Sequence, residues 1–73
     1  MKYDKIEIDF YEDFDGFISY LSTEEFSGTK TQIRQQVRTY SKALRKKHPR
    51  CRIRRCCAHK DFQDLAPQLR FVS

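Results

Sequence analysis

At 73 residues and 8.8 kDa the chain has room for one domain with a small core, and a large enzyme with a deep cleft is not expected. Its mean hydropathy of −0.83 goes with the lack of any apolar run long enough to cross a bilayer, so no transmembrane helix is expected. The formal net charge of +5 describes a mildly basic small domain.

The first residues, Met1-Lys2-Tyr3-Asp4-Lys5-Ile6-Glu7, lack the apolar centre of a signal peptide, so a cytoplasmic protein is expected. Lys5 to Tyr11 alternates apolar and polar residues, the period of a half-buried strand with Ile6, Ile8 and Phe10 facing inward. Asp15-Gly16 follows, a pair suited to the positive φ angles of a tight hairpin. Phe17 to Ser22 reads as a second strand, and its apolar residues on both faces suggest a central place in the sheet. A rival reading makes residues 13–22 a short helix capped by Asp13.

Gly28-Thr29-Lys30-Thr31 opens a helix, with Thr29 or Thr31 able to accept from the free backbone N–H groups of the first turn. Ile33, Val37, Tyr40 and Leu44 form one narrow apolar stripe, and the helix carries no acid. Pro49 stops it near Lys47. Arg50 to Ala58 returns to a period of two, with Cys51, Ile53 and Cys57 facing one way and a comb of Arg50, Arg52 and Arg54 the other. Asp61 to Leu65 reads as a helical turn ended by Pro67, and Gln68 to Val72 as a possible fourth strand. The whole gives a single α+β domain over residues 1–73, of order ββαβ(β), with one amphipathic helix packed on an antiparallel or mixed sheet.

Charge is segregated along this order. Residues 1–25 hold two lysines against eight carboxylates, residues 26–60 hold twelve cations and no acid, and residues 61–73 net −1. The acid-free block suggests a nucleic-acid-binding module that contacts phosphates without sequence preference. Its candidate residues are Lys30, Arg34, Arg38, Lys42, Arg45, Lys46, Lys47, Arg50, Arg52, Arg54 and Arg55. Arginine forks onto phosphate oxygens, and Tyr11, Phe14, Phe17 or Tyr20 would add stacking for unpaired bases. If the third strand lies beside the first, Glu7 and Asp9 would instead neutralise Arg52 and Arg54. The alternative function is a small protein-interaction module, an accessory protein or inhibitor docking through opposed acidic and basic faces, or a homodimer.

His48, Cys51, Cys56, Cys57 and His59 offer zinc-ligand chemistry, but there is no Cys-x-x-Cys pair, and adjacent cysteines on a strand point to opposite faces. No metal or cofactor is therefore expected. An odd cysteine count argues against a disulfide framework. No nucleophile sits in a recognisable motif, so no enzymatic activity is expected.

Overall fold

The computed structural model describes residues 2–65. Strands β1 (Lys2–Phe14) and β2 (Phe17–Thr29) form a long hairpin, helix α1 (Lys30–Lys47) follows, strand β3 (Arg52–Cys57) returns, and a 3₁₀ helix (Lys60–Leu65) closes this part of the chain. The sheet is antiparallel throughout, with order β2-β1-β3. This is the expected ββαβ arrangement of the α+β class. The suggested fourth strand, Gln68 to Val72, and the stop at Pro67 lie outside the described residues.

The rival helix over residues 13–22 is replaced by the hairpin. Asp15 and Gly16 both take positive φ, 52° and 89°, as a two-residue primed turn requires. Asp13 Oδ1 accepts from the Gly16 N–H at 3.2 Å and closes the turn. The central strand is β1, not β2, because β3 pairs with its free side from Ile8↔Cys57 to Asp13↔Arg52. Strand β2 lies at the edge. Its mixed apolar pattern has a local cause: the register slips between Phe10↔Ser22 and Tyr11↔Tyr20, leaving Leu21 as an extra residue. Ile18 and Tyr20 therefore share a face with Thr23 and Glu25, although their numbers differ in parity.

Thr29 caps α1 in a reciprocal pair with Gln32: the Gln32 N–H donates to Thr29 Oγ1, and Gln32 Oε1 accepts from the Thr29 N–H. Ile33 and Val37 are fully buried, with Tyr40 and Leu44 packed beside them, so the apolar stripe lies as its spacing dictates. Ser41 is also buried in this layer and satisfies its hydroxyl on the Val37 carbonyl at 2.8 Å. Ile6, Ile8, Phe10, Phe26, Ile53, Cys57 and Phe62 complete one core between the helix and a single face of the sheet. Phe10 packs on Phe26 and Tyr40. The other face has no second layer among the described residues.

Candidate functional site: a basic cleft between helix and sheet

Helix α1 lies along the middle of the inner sheet face and leaves a groove on each side. The two differ sharply in chemistry. On the β3 side a cleft of about 350 Å³ is lined by Arg34, Arg38, Ser41, Lys42 and Arg45 of the helix and by Arg55 of the strand. Five of the six carry positive charge, and among the described residues no carboxylate lines the cleft. The helical positions recur at spacings of four, four and three, so one flank of α1 delivers them together. On the β2 side a larger groove, about 810 Å³, is lined by Glu25, Phe26, Gln32, Gln35, Gln36, Thr39, Tyr40 and Ala43.

Arg55 is the unusual member of the basic cleft. It stands between Ile53 and Cys57 on the inner face and pairs across the sheet with Phe10, a core residue. Its guanidinium is half-buried, and burial depresses its pKa, with Arg45 and Arg38 depressing it further. The helix covers its stem while like charges face its head. Arg34 stacks over the Phe62 ring at 5.8 Å from its centroid, which orients that side chain at the core margin.

The arginine comb separates from this cleft. Arg52 and Arg54 lie on the outer face, opposite Asp13 and Tyr11. Arg54 is engaged, with Nε and Nη2 both donating to Asp13 Oδ2 at 2.9 and 2.8 Å. The expected partners differ from those found. Asp9 lies opposite Cys56 and accepts from the Thr23 hydroxyl at 2.6 Å, while Glu7 sits beyond the reach of β3 and pairs with Lys5. Arg50 precedes the strand and shares a shallow recess with Arg52, Asp13, Asp15 and Gly16. Lys30 stands at the opposite end of the helix, near enough to Asp61 to lower its pKa, though the Tyr3 hydroxyl is the larger cause. Lys46 and Lys47 are exposed in the last turn, where they face the negative end of the helix dipole.

The eleven candidate residues thus fall into three groups. Arg34, Arg38, Lys42, Arg45 and Arg55 share the cleft, Lys30, Lys46 and Lys47 stand at the two ends of α1 outside its lining, and Arg50, Arg52 and Arg54 are interleaved with acids on the other side. The aromatic candidates do not join the first group. Tyr11 and Tyr20 contact each other edge to face on the outer surface, and Phe14 and Phe17 pair at the hairpin tip.

The imidazoles and thiols are likewise dispersed. His48 Nδ1 meets Glu12 Oε2 at 2.9 Å and ties the helix end to β1. His59 packs against Tyr3 and Phe62. Cys57 is in the core, Cys56 is on the outer face, and Cys51 lies near Glu12, with burial raising the thiol pKa of both Cys51 and Cys57. The electropositive segment thus does not make these two thiols acidic, because burial and nearby carboxylates oppose it. No helix among the described residues is long and apolar enough to cross a membrane. Comparison with known proteins found no matching family model, no matching curated protein and no matching solved structure.

Proposed function

We propose that this protein binds nucleic-acid backbones through the basic cleft and the adjoining flank of α1. One observation carries the reading: five cations from two separate elements converge on a single concavity, with no carboxylate in its lining among the described residues. Cations held together in this way repel one another, and a polyanion turns that cost into binding energy. Guanidinium groups suit the oxygens of a phosphodiester, which accept two parallel donors. The separation of the tyrosines from the cleft supports phosphate contact without base stacking there. The chain is read as a binding module rather than an enzyme, and its three free thiols fit a reducing, cytoplasmic setting. The outer side of β3, where Asp13 and Asp15 alternate with Arg50 and Arg52, is the surface that supports protein docking as a second reading.

Fluorescence anisotropy with labelled duplex and single-stranded oligonucleotides tests the primary reading. Five phosphate contacts give a log–log salt slope of roughly −4 to −5 on a duplex. Arg38→Glu and Arg55→Glu should each weaken binding at least about tenfold, near 1.4 kcal/mol. Arg52→Glu, on the outer face, should change it far less. No binding at low salt, or equal losses for all three variants, removes the cleft as the site.

A further inference from the structure

The basic cleft has a depth that a surface stripe of cations lacks. Arg38, Lys42 and Arg45 stand exposed along its helix rim, while Arg55 reaches in from the β3 wall and is half-buried. Ser41, between them, is small and buried, and its hydroxyl is turned to the Val37 carbonyl, so it fills little of the space between the walls. The guanidinium groups of Arg38, Arg45 and Arg55 therefore gather in one place, close enough that the two helix arginines lower the pKa of the third. Towards the start of the helix, Arg34 lies over the ring of Phe62, a fully buried residue of the 3₁₀ helix. The 3₁₀ helix thus flanks the cleft at its Arg34 end. A polymer running right through the cleft has to pass over it, and one that terminates in the cleft does not.

We infer that the cleft receives the terminal phosphomonoester of an oligonucleotide, held by Arg38, Arg45 and Arg55, in preference to an internal phosphodiester. The inference rests on the proposed function and narrows it to strand ends. Charge is the first ground. Gathered guanidinium groups repel one another, and a monoester, with a charge of about −1.5 to −2 near neutral pH, offsets that more than the single charge of a diester. Acceptors are the second. A monoester presents three terminal oxygens to the forked donors of arginine, and a diester has one fewer. Access is the third. A diester carries a sugar on both sides, which holds it at the rim, whereas a terminal phosphate is linked on one side only and reaches the half-buried Arg55. The remaining cations select a nucleic acid as the bearer. Lys42 follows Arg38 by one helical turn, about 6 Å along the axis, and continues the positive charge for the next phosphate of the same strand. A phosphorylated peptide brings no second phosphate to that position.

Anisotropy titrations of the full chain with one short single strand test this. The strand is prepared with a 5′-phosphate, a 5′-hydroxyl, a 3′-phosphate or a 3′-hydroxyl, each labelled at the opposite end. A hydroxyl-ended strand lengthened until its charge equals that of the phosphorylated strand controls for charge alone. A terminal phosphate should tighten binding roughly tenfold over that control. A preference at either end upholds the inference and fixes the polarity of the bound strand. Arg55→Met and, as a second variant at an exposed helix position, Arg45→Met should erase the preference with unchanged far-ultraviolet circular dichroism. Lys42→Met should weaken all strands by a similar factor and keep it. Equal binding of phosphate-ended and charge-matched hydroxyl-ended strands overturns the inference and leaves backbone binding standing, whereas no binding of any strand at low salt removes both. A preference that survives both arginine variants also overturns it. So does a phosphoserine peptide of matched charge that binds more tightly than the phosphorylated strand.

Discussion

Two neighbouring arginines on β3 show how side-chain direction decides what a charge does. Arg54 points outward and meets Asp13 through two donors on one oxygen, and both partners are mostly shielded from water. Arg55 points inward and meets Arg38 and Arg45. Their removal should therefore have opposite effects. Arg54→Met leaves the Asp13 carboxylate without its partner and should cost about 1 kcal/mol of stability while barely changing oligonucleotide affinity. Arg55→Met relieves like-charge repulsion and keeps the packed stem. It should raise stability by about 0.5 kcal/mol, in the range of cross-strand pair effects, while weakening binding roughly tenfold. Urea unfolding read beside anisotropy measures both quantities, and a destabilised Arg55→Met protein would contradict the repulsive reading of the cleft.

At the scale of elements, the sequence carries more about faces than about neighbours. The alternation of Ile6, Ile8 and Phe10 and the stripe of Ile33 and Val37 name the buried faces because backbone geometry alone sets those periods. Nothing in a period of two says which strand lies beside which, so the edge position of β2 was illegible, and the extra residue at Leu21 disguised its pattern further. The inward direction of Arg55, itself among the candidates, was legible but not read: it lies two residues from both Ile53 and Cys57 and so shares their parity. The helix flanks were legible too, since the glutamines and Thr39 fall on different rows from the arginines. The contact that fastens the 3₁₀ helix to β1 could not be read locally, because Tyr3 and Asp61 are far apart in the chain. The Tyr3 hydroxyl donates to Asp61 and holds its carboxyl below the usual carboxylate range. A depressed carboxyl pKa adds stability above that range, and the contribution disappears as pH falls through the folded-state value. Tyr3→Phe should thus lower Tm near neutral pH, and the two proteins should converge in acid below the carboxylate range. A Tm difference that stays constant into acid would mean that the hydroxyl acts through packing alone.

For the whole molecule the question is whether folding brings the acidic hairpin and the basic block together. Among the described residues it does so along the outer side of β3 and at the end of the helix, but not in the cleft. The outer edge of the sheet interleaves Asp13 and Asp15 with Arg50, Arg52 and Arg54, and Glu12 meets His48, whereas the flank of α1 facing β3 keeps its cations together. These two arrangements respond differently to salt. Close, partly shielded pairs such as Arg54–Asp13 are screened weakly, while repulsion spread over a solvent-filled cleft is screened within a Debye length of about 8 Å at physiological ionic strength. Added sodium chloride should therefore stabilise the free protein at neutral pH instead of weakening it. Sulfate at equal ionic strength should stabilise it further, because an anion that binds only the folded cleft shifts unfolding by mass action. The extra increment from sulfate should shrink in Arg55→Met and persist in Arg52→Met, since only the first loses a donor from the cleft. Thermal melts of the three proteins in matched chloride and sulfate series decide the point: if both variants keep the full increment, the anion acts through the general solvent effect and the cleft is not an anion site.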